Sequence, residues 1–161
     1  MYMIEHMPVN KLQHRDGEKQ VDYLDFEWHE LNGKIHRMQS RNGRDVGIRL
    51  GDEVLRHGLR DGDILYEDEE VILAVNVLPF ELLCVTVEPE HSENIARVCY
   101  EIGNTHAALF RGDTDFEFLT PYSEPLKKLL EKLHGVHVKA EVRKPDFDAA
   151  ISSGAHHAHS H

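Results

Sequence analysis

Histidine is the residue whose type and spacing promise chemistry in this chain. Thirteen of the 161 residues are histidine, and four of them crowd the last six positions, His156-His157-Ala158-His159-Ser160-His161. Neutral imidazole is a borderline donor that suits nickel, copper and zinc. Several imidazoles on one tether raise one another's effective concentration, so such a segment captures a divalent ion better than any single ring. A purification tag would read as an unbroken run behind a familiar linker, whereas Ala158 and Ser160 interrupt this one. A tail that takes up metal only in the test tube is the second bland reading.

His106 is the other candidate ligand. It stands just past a helix expected to end at Gly103-Asn104, both of which tolerate the left-handed cap conformation, and just before a strand expected from Ala107. A helix carboxyl end carries partial negative charge and favours a nearby cation. One imidazole holds metal weakly, so a useful site there needs a second copy of His106 across a two-fold axis, or donors from the tail. His134 reads as a cap on the end of a helix, and His137 as an outward, solvated residue of a strand with a neighbouring metal role as its alternative. His29, His36, His57 and His91 show no ligand spacing, and His6 and His14 are uninformative.

Other chemistry is thin. There is no Gly-rich phosphate loop, no GxSxG and no HExxH, so no enzyme is expected. Asp113 and Asp115 suit a hairpin turn, and Glu67-Asp68-Glu69-Glu70 suits a solvated acidic turn. Cys84 and Cys99 make no metal-binding spacing and read as small buried side chains of a reducing compartment. The net charge of -11, from 29 acidic and 18 basic residues, argues against nucleic acid and against an anionic membrane surface. No apolar run approaches the roughly 20 residues of a membrane span, and the first residues lack the pattern of a signal peptide. A cytoplasmic protein is expected.

Three segments must position these residues. Residues 1–76 read as an all-β domain, a small sandwich or barrel. Its apolar runs are Lys19–Trp28, Asp45–Leu50 and Val71–Val75. The turn signals between them are Asn32-Gly33, Asn42-Gly43, Leu50-Gly51-Asp52 and Asp61-Gly62-Asp63. Residues 77–148 change pattern. Leu82–Val87 predicts a strand buried on both faces. A helix over about 92–102 carries the stripe Ile95, Val98, Cys99, Ile102. Ala107–Arg111 and Phe116–Thr120 flank a hairpin turn. A second helix over about 124–134 carries Leu126, Leu129, Leu130 and Leu133, with Ser123 as its N-cap. Alternation from Val136 to Val142 predicts a last, half-exposed strand. The order βαββαβ is the ferredoxin-like arrangement, so the fold class is α+β in two domains. Residues 149–161 are expected to be a flexible His-rich tail.

The segment Glu101-Ile102-Gly103-Asn104-Thr105-His106, following Arg97-Val98-Cys99-Tyr100, resembles the E-(I/L)-G-N-x-H segment of the UreE family of urease accessory nickel chaperones. Gly62-Asp63-Ile64-Leu65-Tyr66-Glu67 is similar to that family's G-D-x-L motif. Phe118-Leu119-Thr120-Pro121-Tyr122 ahead of a leucine-striped helix is similar to its second half. The resemblance runs from about Asp22 to His161. It implies a peptide-binding-like first domain, a ferredoxin-like second domain and a homodimer joined through that second domain. It also implies Ni2+ bound by His106 of each protomer, with zinc or copper able to substitute. Further ligands would come from the tail histidines His156, His157, His159 and His161. Nickel would then pass to a GTPase partner and to apo-urease. Two departures stand out. Thr105 occupies a position where the family commonly has Arg, and Phe118–Tyr122 lacks the extra histidines some relatives carry. A passive nickel store and a prolyl isomerase with a metal-binding tail are the rival readings.

Overall fold

A computed structural model of the chain describes residues 1–12 and 19–152. The tail histidines His156, His157, His159 and His161, like His14, lie outside the described residues. The chain divides into two compact units, Met1–Leu78 and a second beginning at Pro79, and it is a mixed α+β protein.

The first unit contains two three-stranded sheets. In one, β4 (Asp45–Arg49) lies between β1 (Tyr2–Ile4), parallel to it, and β3 (Ile35–Gln39), antiparallel to it. In the other, β6 (Val71–Val77) lies between β2 (Gln20–Phe26), parallel to it, and β5 (Ile64–Glu67), antiparallel to it. As a central strand, β6 buries Val71 to Val75 and Val77. The turn at Asn42-Gly43 closes β3 onto β4, with Gly43 at φ 82° and its amide donating to the Ser40 carbonyl at 2.9 Å. This conformation costs glycine no Cβ clash.

The expectation of an all-β unit needs correction. A short helix, α1 (Glu53–His57), follows Gly51-Asp52, with Val54 buried as its anchor. Five residues are too few to display a helical period, so the sequence hid it. Three strands were also missed: β1 and β5 are three and four residues long, and β3 is exposed or half-exposed throughout. On β2 the inward face is Asp22, Leu24 and Phe26, so a carboxylate occupies a position that an apolar count passes over. Asp22 is tolerated there because Arg44 Nη1 donates to it at 2.8 Å and the Asn42 amide at 3.2 Å. Burial pushes its pKa up, but hydrogen bonds from Ser40, Arg44 and Asn42 outweigh that and hold it below the ordinary carboxylate value.

The second unit is one antiparallel sheet with two helices. Its elements are β7 (Phe80–Val87), α2 (Asn94–Asn104), β8 (Leu109–Arg111), β9 (Glu117–Pro121), α3 (Glu124–Glu131), β10 (Val136–Arg143) and β11 (Ala150–Ser152). The sheet order is β10-β7-β9-β8-β11. Leu83, Val85 and Val87 of β7 share a core with Val98 and Ile102 of α2 and with Leu126 and Leu130 of α3. Both helices therefore lay their apolar stripes on the same sheet surface. Ser123 caps α3 as its spacing predicts, its hydroxyl accepting from the Leu126 amide.

The end of this unit departs from expectation. Residues 149–152, assigned above to a flexible tail, complete a 3-10 turn, Phe147–Ala149, and form β11. The Phe147 ring stands edge-on to Phe110 of β8 at 5.5 Å between centroids. That contact seats the turn, and β11 then pairs antiparallel with β8, Ser152 opposite Leu109.

Candidate metal centre

Helix α2 runs two residues further than its stripe suggested. Gly103 and Asn104 remain helical, and Thr105 follows as the C-cap. The left-handed residue expected at Gly103-Asn104 is instead His106, at φ 60°, the one non-glycine residue with positive φ among the described residues. The His106 amide donates to the Gly103 carbonyl at 3.0 Å and the Thr105 hydroxyl to the Ile102 carbonyl at 2.7 Å. These bonds pin the last turn and use Thr105 locally. Beneath them Ile102 is fully buried, and Glu101, almost buried, accepts from Arg97 Nε at 2.8 Å. His106 itself is exposed. Histidine tolerates the left-handed region better than most residues, but that backbone still costs roughly 1 kcal/mol. Backbone outliers of this kind cluster at functional sites.

The sheet then brings the tail's root to this point. Ser152 is paired with Leu109, three residues along the chain from His106. The four tail histidines begin four residues beyond Ser152. A chain of four residues spans at most about 14 Å, and that length leaves from the strand next to the one His106 leads into.

The thiols are poor ligands. Burial pushes the Cys84 thiol up, as does its hydrogen bond to Glu141, and burial likewise raises Cys99. Both favour the protonated, inert form; Cys84 is buried as read, whereas Cys99 is half-buried at the edge of the core. Among the described residues no three histidine, cysteine, aspartate or glutamate side chains are gathered to hold one ion. No helix among them is long and apolar enough to cross a membrane.

Two histidines sit differently from expectation. Helix α3 ends at Glu131 with Lys132 as its cap, so His134 is not a helix cap. Its ring packs edge-on against His91 at 4.3 Å between centroids. His137 faces outward on β10 as its alternation requires, but its Nε2 lies 2.9 Å from Glu88 Oε1. Residues 88, 91, 134 and 137 are spread over fifty positions, so their spacing carries no signal of this meeting.

Comparison with known proteins adds to this geometry. The model of the UreE urease accessory protein N-terminal domain matches residues 4–78, and that of the C-terminal domain matches residues 81–161. The chain is 42% identical to the urease accessory protein UreE of Helicobacter pylori strain G27 over 138 residues, covering 86% of this chain and 79% of that protein. It is 41% identical to the protein of that name from Helicobacter acinonychis over 131 residues, 81% and 75% of the two chains. The Helicobacter bizzozeronii protein of that name is 35% identical over 158 residues, 97% and 86%.

Proposed function

The chain belongs to the UreE family of urease accessory proteins, and on that premise we propose that it is a nickel chaperone rather than an enzyme or a passive store. The observation that carries the reading is His106, an exposed imidazole in a left-handed backbone at the end of α2. On this reading Ni2+ is cargo. Two copies of the chain associate through the second unit, residues 77–148 by sequence, and each contributes His106. Tail histidines from among His156, His157, His159 and His161 close over the ion. The βαββαβ order with strands 4-1-3-2 supports calling that unit ferredoxin-like, and residues 1–76 would be the peptide-binding-like domain.

A carrier must release what it holds. Imidazole and water ligands at an exposed position exchange readily, whereas a cage of thiolates does not. Cys84 is buried and Cys99 half-buried, and burial raises both thiols. Imidazole must be unprotonated to bind, so affinity falls as pH drops through about 6.5. Handover would begin with the tail, the tethered half of the ligand set, and pass the ion to a cytoplasmic GTPase and apo-urease. Zinc or copper, of the same borderline class, would compete.

Calorimetric titration with Ni2+ tests this on the native chain, His106→Ala, and a chain ending at Ser153. The expected result is loss of tight binding in His106→Ala and a weaker, incomplete site in the truncation. Undiminished tight binding by His106→Ala overturns the assignment. Sedimentation of the native chain tests the dimer. Co-purification with the GTPase and urease subunits separates delivery from storage.

A further inference from the structure

A second group of imidazoles lies on the other side of the βαββαβ unit, away from the loop that carries His106. Glu88 follows β7, His91 sits in the 3-10 turn Pro89–His91, and His134 and His137 flank the turn from α3 into β10. This corner is tied together by its backbone. The Glu88 amide donates to the Gly135 carbonyl at 2.8 Å, and Asn94 Nδ2 donates to the His134 carbonyl. Gly135 has φ 73°, and a Cβ there would fall 2.5 Å from His91 Cδ2. The His91 ring therefore lies directly on the Gly135 backbone and is held in place by it.

Within this frame three ring nitrogens face carboxylate oxygens. His91 Nδ1 is 3.5 Å from Glu93 Oε1, and His91 Nε2 is 3.7 Å from Glu88 Oε2. His137 Nε2 meets the other oxygen of the same carboxylate at 2.9 Å. The Glu93 carboxylate lies on the Nδ1 side of the ring and Glu88 on the Nε2 side. Glu93 is placed as the outer carboxylate that metal-bound histidines commonly have. Metal–ligand bonds of about 2.1 Å at angles between 90° and 109° place neighbouring donors about 3.0–3.4 Å apart. The 2.9 and 3.7 Å nitrogen–oxygen separations straddle that edge length.

We propose that Glu88, His91 and His137 form a second site for a borderline divalent cation, with His134 as an added ligand. Two imidazoles and a carboxylate suit nickel, copper or zinc and not magnesium or calcium. The donors do not yet surround one point, so the ion gathers them. His137, with two thirds of its side chain exposed, swings onto the His91–Glu88 pair and coordinates through an unprotonated ring nitrogen of the neutral imidazole. The site does not use His106 or the tail, so it stands or falls separately from the chaperone reading.

The test uses the full-length chain with His106 and the four tail histidines changed to alanine, titrated with Cu2+ and followed by electron paramagnetic resonance. One ion per protomer with hyperfine coupling to at least two nitrogens is expected. His137→Gln, at an exposed position where folding is not at issue, removes one nitrogen from that pattern. Glu88→Gln weakens binding about tenfold or more, equal to about 1.4 kcal/mol. Absence of stoichiometric binding in the parent chain overturns the proposal, and so does a spectrum left unchanged by His137→Gln and His91→Ala together.

Discussion

Replacing Phe147 by alanine should weaken nickel binding without touching any ligand. The ring holds the 3-10 turn before β11 against Phe110, and an aromatic pair of this geometry contributes about 1 kcal/mol beyond the area it buries. All three residues of β11 are exposed, so the strand has little else to keep it on β8. While it is paired, the tether to His156 is the four residues beyond Ser152, which sits opposite Leu109. Once it is released, the last fixed residue is Arg143 at the end of β10, and the tether rises to about thirteen residues. Closing the longer loop costs about 1 kcal/mol more, roughly a sixfold loss in affinity. Calorimetry with Ni2+ on four proteins reads this: native, Phe147→Ala, a chain ending at Ser153, and the two changes combined. Hydrogen exchange at Ala150 to Ser152 reports whether the strand has let go. If Phe147→Ala weakens the truncated chain as much as the native one, the effect does not pass through the tail and the tether argument is wrong.

Other outcomes follow from geometry. His106→Gly should be about 1 kcal/mol more stable to thermal unfolding than His106→Ala, because only glycine is at ease at φ 60°, while both lose tight nickel binding. Asp22→Ala should cost about 2 kcal/mol by leaving the Asn42 amide and Arg44 without their acceptor, read as a drop in the denaturant midpoint. Because the Asp22 pKa is depressed in the fold, its contribution is complete above the unfolded carboxylate value and disappears as pH falls through the lower, folded one. The gap between native and Asp22→Ala stability should therefore be flat from neutrality to about pH 4 and narrow below it. Gly135→Ala should destabilise by about 2–3 kcal/mol, since the new methyl group meets both the His91 ring and an unfavourable φ.

The second unit was legible because its elements are long and carry a clear period. The stripes Ile95, Val98, Cys99, Ile102 and Leu126, Leu129, Leu130, Leu133 do pack on one core, and alternation from Val136 places β10. The first unit was half hidden. Its missed strands are three to five residues long, and its parallel pairings β1·β4 and β2·β6 join segments too distant for any local turn signal. His106 could be singled out by the residues around it, but its backbone could not. The preference of glycine and asparagine for the left-handed region pointed two residues early, and the helix spent those residues on another half-turn. Ala150–Ser152 has the composition of a linker and forms a strand where Phe147 meets Phe110 and the backbone pairs with β8. The Glu88, His91, His134, His137 corner was invisible because only the fold brings those positions together.

The parallel pairing of β2 with β6 also sets a timetable during synthesis. Gln20 must find Val71, fifty-one positions downstream. A ribosome adding about 5–20 residues per second leaves β2 without its partner for several seconds. The strand emerging meanwhile is Gln-Val-Asp-Tyr-Leu-Asp-Phe, whose two acidic residues repel other copies of itself. Asp22 and Asp25 thus guard the nascent chain against its siblings on a polysome before either finds its arginine in the finished molecule.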